Sequence, residues 1–229
     1  MSERTRWEKA QSEERKYQRI SRSKLSSGPS QYLNKLYNLP SSFFYQQKVL
    51  EIGVAVWSTI HNLDGAILKV GIDPLANFYS EVYPRSAEHI LGRGEELPFL
   101  HDSFDSIICL NTLDHTENPS LVLTEIRRCL KSGGTLLFSV HTFGLPKILR
   151  NNLLSKTDPT HPHHFEELEV LEMLHKSGFV LKHLLHTDLG FVFIKKTKDL
   201  IRGKRLRSAL KYFIAKVFAG MNSTYIVCN

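Results

Sequence analysis

From Lys48 onward, short apolar runs rich in Val, Ile and Leu recur along the chain, each closed by a turn residue and separated from the next by a stretch of helical spacing. The runs 48–53 (KVLEIG), 68–73 (LKVGID), 88–92 (EHILG), 105–110 (DSIICL), 134–141 (GTLLFSVH), 179–186 (FVLKHLLH) and 224–228 (TYIVC) read as seven buried strands. Between them, 121–130 places Val122, Ile126 and Cys129/Leu130 on one helical face and meets the glycine stop KSGG at 131–134. The stretch 166–176 repeats the pattern with Leu168, Leu171 and Leu174, and Gly178 ends it. Strands alternating with helices predict an α/β fold: a doubly wound, mostly parallel sheet with helices on both faces and ligands at the carboxyl ends of the strands. There is no internal repeat and no low-complexity tract.

Composition agrees with a folded domain and adds one complication. The chain has 229 residues, 41% hydrophobic and 23% charged, which suits one domain with a full core and not a disordered chain. No run approaches the roughly 20 apolar residues of a membrane span, and the opening MSERTRWEKAQSEERK lacks the apolar centre of a signal peptide, so a cytoplasmic protein is expected. Cys109, Cys129 and Cys228 have no CxxC spacing, which argues against a disulfide framework or a cysteine zinc site. The net charge of +7 invites a nucleic-acid reading. Yet 1–24 holds eight Lys/Arg against four Asp/Glu, 195–216 holds nine against one, and the rest of the chain is net negative by five. The basic ends therefore need an explanation separate from that of the body.

In such a fold the loop after the first strand approaches the ligand. Here it contains Glu51, Gly53, Ala55 and Trp57, and glycine lets the backbone pass close to a bound molecule. Asp73, followed by Pro74, ends the second strand twenty residues after Gly53, where a carboxylate accepts both hydroxyls of a ribose. Taken alone, acidic residues at strand ends are about as often solvated turn residues or helix caps.

The next segment narrows the choice. GRGEELPF at 92–99 is followed by DSFD at 102–105, NTLDHTENP at 111–119, EIRR at 125–128 and LKSGG at 130–134. In this order and spacing, 48–141 resembles the class I S-adenosylmethionine-dependent methyltransferases, in particular the type 11 group that includes ubiquinone and menaquinone biosynthesis methyltransferases. The resemblance implies a Rossmann-like sheet whose last strand is antiparallel, with S-adenosyl-L-methionine as cofactor. It places Glu51, Gly53 and Ala55 at the methionine end and sugar, Asp73 and Pro74 at the ribose, Gly94 and Glu95 beside the adenine, and Asn111 near the methyl group. It also implies an N-terminal helical cap over 1–45 and a methyltransferase domain over 46–229, with a basic helical insertion at 191–222. The chain departs from the pattern at Ala55 and Trp57, where the family carries its second and third glycines. It departs again at Arg93, where many relatives have an aspartate that accepts from the adenine amino group, because an arginine cannot accept.

Methyl transfer from a sulfonium needs mainly alignment, and a hydroxyl acceptor also needs a base. His115, His161 and His163 are the candidate bases, since imidazole takes a proton near neutral pH. The loop DPTHPHHF at 158–165 has two further readings. One is structural. The other is a metal held by Asp158, His161 and His163, which ranks last because these residues share one loop and lack a spaced partner pair, so no metal is expected. Acceptor contacts are assigned to His164 and to an N-terminal helix carrying Trp7 and Tyr17, which would close over the site.

Near the other end, Leu206, Leu210, Phe213, Ile214 and Val217 alternate helically with Lys204, Arg207, Lys211 and Lys216. Such a helix packs on its own protein or docks on an anionic membrane surface. Nucleic acid ranks below both, for want of aromatic and basic interleaving. The expected activity is methylation of a hydroxyl on a small molecule or glycan, with a catalytically inactive binding protein of the same fold as the alternative.

Overall fold

A computed structural model describes residues 3–21, 33, 36–55, 58–79, 86–145, 147, 148, 150, 154, 161–187 and 222–229. Its elements are α1 (Glu3–Ser21), β1 (Lys48–Ile52), β2 (Leu68–Asp73), the single turn α2 (Ala76–Tyr79), β3 (Glu88–Leu91), β4 (Phe104–Leu110), α3 (Pro119–Cys129), β5 (Leu130–Thr142), α4 (Glu167–Lys176), β6 (Leu181–Thr187) and β7 (Asn222–Cys228). The sheet has the order β3-β2-β1-β4-β5-β7-β6. The first five strands are parallel, and β7 runs antiparallel to both of its neighbours. The insertion expected at 191–222, with its basic helix, falls outside the described residues apart from the first residue of β7.

The strands form where the apolar runs predict them because alternate residues meet two different apolar layers. Leu50 and Ile52 of β1, Ile107 and Cys109 of β4 and Leu136, Phe138 and Val140 of β5 face Val122, Ile126 and Cys129 of α3 and Val170 and Leu174 of α4. Val49, Ile108 and Leu137 face the opposite way, onto Leu33, Tyr37, Phe44, Ile60 and Leu63. The Tyr37 hydroxyl donates to the Phe138 carbonyl at 2.8 Å and ties that second layer to the middle of the sheet. Cys109 and Cys129 are fully buried free thiols. No described helix is long and apolar enough to cross a membrane.

One boundary differs from the sequence reading. The helix expected through Leu130 stops at Cys129, and β5 starts at Leu130, not at Gly134. Leu130 pairs with Phe104 before the register jumps to Thr135 opposite Ser106. The intervening residues loop out, with Gly133 at a φ of 72° and Lys131 paired to Asp105 at 2.6 Å. The glycines thus make a bulge inside the strand's span, where a turn ahead of it was expected.

At the rim of β2 and β3, the rings of His61 and His89 lie 4.9 Å apart. Burial, followed by the nearby His89 and Lys69, lowers the His61 imidazole to about 4. The unfolded chain takes up this proton near 6.5, before the folded chain does, so stability is intact above that pH and falls as pH drops through the window. Urea midpoints measured at pH 7 and pH 5 should lie closer together in His61→Gln than in the unsubstituted protein.

Candidate active site

The carboxyl ends of β1, β2 and β4 open into a cleft lined by Gly53, Asp73, Pro74, Gly94, Glu95 and Asn111, with Trp7, Gln11 and Glu14 of α1 over it and Thr112, His115 and Thr116 at one side. Three residues in two of the turns at these strand ends have left-handed backbone: Gly53 at φ 77° and Ala55 at φ 40° after β1, and Asn111 at φ 47° after β4. At Gly53 a Cβ would lie 2.1 Å from Thr112 Oγ1 and 2.4 Å from its Cγ2, so only glycine fits between β1 and the loop after β4. Ala55 too is left-handed, a conformation glycine takes more easily, and its N–H donates to Asp73 Oδ2 at 3.2 Å. Its methyl group therefore strains the loop. Trp57 and Asp158 lie outside the described residues.

Two acidic residues organise the loops, and they do so differently. Glu51 is buried beneath the loop after β1 and does not line the cleft. Its carboxylate accepts from Ser58 Oγ at 2.7 Å, Thr59 Oγ1 at 2.7 Å, Thr59 N at 3.2 Å and Ile60 N at 2.9 Å. Burial still pushes its carboxyl above the ordinary range, against those donors. Asp73 does face the cleft. It accepts backbone N–H groups from Leu75 at 2.7 Å on Oδ1 and from Ala55 at 3.2 Å on Oδ2, with Val54 N–H contributing as well, and a carboxylate's four acceptor sites still leave capacity for a ligand's hydroxyl. Burial raises its carboxyl too.

Arg93 is turned away from an acceptor role. Its guanidinium lies 4.4 Å from the centroid of the Trp7 ring and donates to Glu117 Oε2 at 2.6 Å. Glu95 accepts from Glu117 N at 2.7 Å and Asn118 N at 3.2 Å on Oε1, the oxygen that also faces Arg93 at 3.4 Å. Arg4 stands 5.2 Å from the same indole, Gln11 donates to the His115 carbonyl at 3.4 Å and Arg6 donates to the Pro162 carbonyl at 3.3 Å, so α1 is fastened across the cleft. Tyr17 belongs to α1, but its side chain is not among those described.

The histidines separate into two groups. His115 lines the cleft, and the His161 ring lies 4.3 Å from it, centroid to centroid. Beneath both is Asp114, 2% exposed, with Oδ2 3.8 Å from His161 Nε2. Burial raises the Asp114 carboxyl, but His115, His161 and His141 outweigh it and the net displacement is downward. His163 instead bonds the Thr116 carbonyl through Nε2 at 3.0 Å, and its backbone N–H donates to the Asp114 carbonyl at 3.3 Å. A carbonyl only accepts, so Nε2 carries the hydrogen, and burial lowers the basicity of the ring. His163 and His164 line a second depression with Arg6, Lys147 and Glu169, away from the cleft. Sequence reasoning singled out neither Asp114 nor Thr112. The adjacency of Asp114 and His115 directly after a strand was the available signal.

A sheet in this order with a reversed seventh strand, and a buried aspartate at the end of β2 facing a cleft floored by glycine, make up a Rossmann-like methyltransferase fold. Residues 50–138 match the family described as a methyltransferase domain. An uncharacterised protein of Methanocaldococcus jannaschii is 27% identical over 157 residues, which is 67% of this chain and 68% of that one. A protein of Bacillus halodurans described as a candidate methyltransferase superposes with a TM-score of 0.62 at 20% identity, over 86% of this chain and 97% of its own. A phosphoethanolamine N-methyltransferase of Haemonchus contortus superposes with a TM-score of 0.64 at 16% identity, over 89% of this chain and 53% of its own. At these identities the two structures share the fold.

The cleft fits the family's cofactor. Gly53 and Gly94 keep its floor clear, a Cβ on Gly94 coming within 3.1 Å of Val122, and Asp73 has acceptor capacity to spare. S-adenosylmethionine is the cofactor that the sequence resemblance implies.

Proposed function

We propose that the protein methylates a hydroxyl group on a small molecule or glycan. The observation that carries this reading is the juxtaposition of His115 and His161, over a buried Asp114, with Asn111 on the wall where β4 ends. The bound cofactor supplies an activated methyl on sulfur. Asp73 accepts hydrogen bonds from the ribose hydroxyls, and Glu95 Oε2 accepts one from the adenine amino group, which Arg93 cannot do. Trp7 and α1 exclude water from the cleft. Asn111 orients the methionine end, while an imidazole of the His115 and His161 pair accepts the acceptor's proton as its oxygen takes the methyl. Asp114, with Oδ2 3.8 Å from His161 Nε2, places a negative charge beside that pair. His163, already committed to Thr116, fastens the loop in this scheme, and Glu51 shapes the loop after β1 without touching the cofactor.

Calorimetry with S-adenosylhomocysteine tests the first half and should give one site per chain. Tritiated methyl donor offered to a panel of hydroxylated small molecules and glycans tests the second. The label should enter an acid-stable ether. Absence of cofactor binding, or label confined to nitrogen, would overturn the respective half.

A further inference from the structure

Taken as a sequence, the histidine loop lacked a partner pair for a metal. The fold supplies one from a different loop. One donor atom each from Asp114, His115 and His161 lie within 4.8 Å of one another. Asp114 and His115 follow β4, whereas His161 arrives from the segment after β5, held there by the Phe143 N–H donating to the Phe165 carbonyl at 2.8 Å and by His163. Asp114 is 2% exposed, and among the described residues its Oδ1 has no hydrogen-bond partner. A carboxylate oxygen desolvated without a donor is costly, and in native proteins such an atom commonly marks an ion or water that completes it.

We propose that Asp114, His115 and His161 bind one divalent transition-metal ion, with Zn2+ preferred, beside the methyl-transfer cleft. Two imidazoles and one carboxylate suit an ion of intermediate softness, whereas Mg2+ favours an octahedral shell of oxygens. Donors around tetrahedral Zn2+ stand about 3.3 Å apart, given bonds of roughly 2.0–2.2 Å. His161 Nε2 stands 3.8 Å from Asp114 Oδ2 and the three donor atoms lie within 4.8 Å of one another, so the side chains draw together by up to about 1.5 Å to reach that spacing. Three protein donors leave a fourth position open, and His115 already faces the cleft, so that position is offered to the acceptor.

The binding site stands on geometry alone, but its role rests on the methyltransferase reading above. In the loaded protein the imidazoles hold the ion instead of the proton. The ion-bound hydroxyl releases its proton to water, its oxygen takes the methyl, and the sulfonium leaves as the neutral thioether S-adenosylhomocysteine.

The test titrates ZnCl2, and in parallel MgCl2, into the chelator-treated full chain by calorimetry. One equivalent of Zn2+ should bind, with no detectable Mg2+ binding. Asp114→Asn and His161→Ala should each weaken Zn2+ at least tenfold while S-adenosylhomocysteine affinity shifts less than threefold, which also certifies their folding. His89→Ala, which alters the other close pair of imidazoles, should leave Zn2+ binding unchanged. The site is overturned if the unsubstituted chain binds no Zn2+, if both cluster variants bind it normally, or if His89→Ala removes it. Should Asp114→Asn fail to fold, His161→Ala decides by itself. A chain that binds Zn2+ but no S-adenosylhomocysteine would refute the methyltransferase reading and keep the site, whereas the reverse result would refute the site alone.

Discussion

Gly53→Ala is expected to lower the melting temperature by roughly 5–15 °C and to abolish measurable S-adenosylhomocysteine binding. Two costs add. The left-handed backbone at φ 77° costs a side-chain-bearing residue about 1–2 kcal/mol. The new methyl also meets Thr112 at 2.1 Å, and overpacking of this kind costs about 1–3 kcal/mol more. For a chain of this size each kcal/mol moves the midpoint by about 2–4 °C. The binding loss follows because relief of the clash pushes β1's loop away from the strand end beside Asn111. Adding Thr112→Ala removes the two nearest colliding atoms and leaves only Cβ, at 2.8 Å, so the double variant should recover part of the melting temperature. A single variant that melts and binds normally would show that β1 and the loop after β4 are not in contact.

Asp73→Asn carries the second large effect, and it falls on binding more than on folding. The carboxylate receives an N–H on each oxygen, and an amide has one oxygen, so its NH2 must face either Leu75 N or Ala55 N. The ribose then loses at least one bond to a charged acceptor. Such bonds contribute about 1.5–3 kcal/mol each. Losing one predicts a drop of about tenfold to 150-fold in S-adenosylhomocysteine affinity by calorimetry, and losing two a drop of up to roughly ten-thousandfold, with a far smaller change in urea midpoint. An affinity within threefold of the unsubstituted value would remove Asp73 from the ribose site.

The sheet was legible because its chemistry is local. The central strands β1, β4 and β5 alternate between two apolar layers, and short apolar runs of this kind are visible in the sequence. Gly53 and Asp73 were legible for the same reason, since strand ends can be counted. The division of labour between Glu51 and Asp73 was not, because both are acidic residues near strand ends. Only three-dimensional packing decides that Ser58, Thr59 and Ile60 surround the first while the second faces open space. The histidines illustrate the same limit more sharply. Three in four residues invite a common role, yet the backbone sends His161 toward His115 and commits His163 to Thr116, and the residue that unites the first pair, Asp114, lies 47 positions before His161. Arg93 was read only as the loss of an acceptor. Its contact with Trp7 shows a positive function that belongs to a helix more than eighty positions earlier.

That contact makes the N-terminal helix and the cleft thermodynamically reciprocal. Trp7, Gln11 and Glu14 are at once part of α1 and part of the wall that a ligand meets. By linkage, whatever factor the docked helix contributes to cofactor affinity, the bound cofactor returns to the docked population of the helix. The first twenty residues therefore report on occupancy without touching the chemistry. Their rate of proteolytic clipping, followed against cofactor concentration, is itself a binding isotherm.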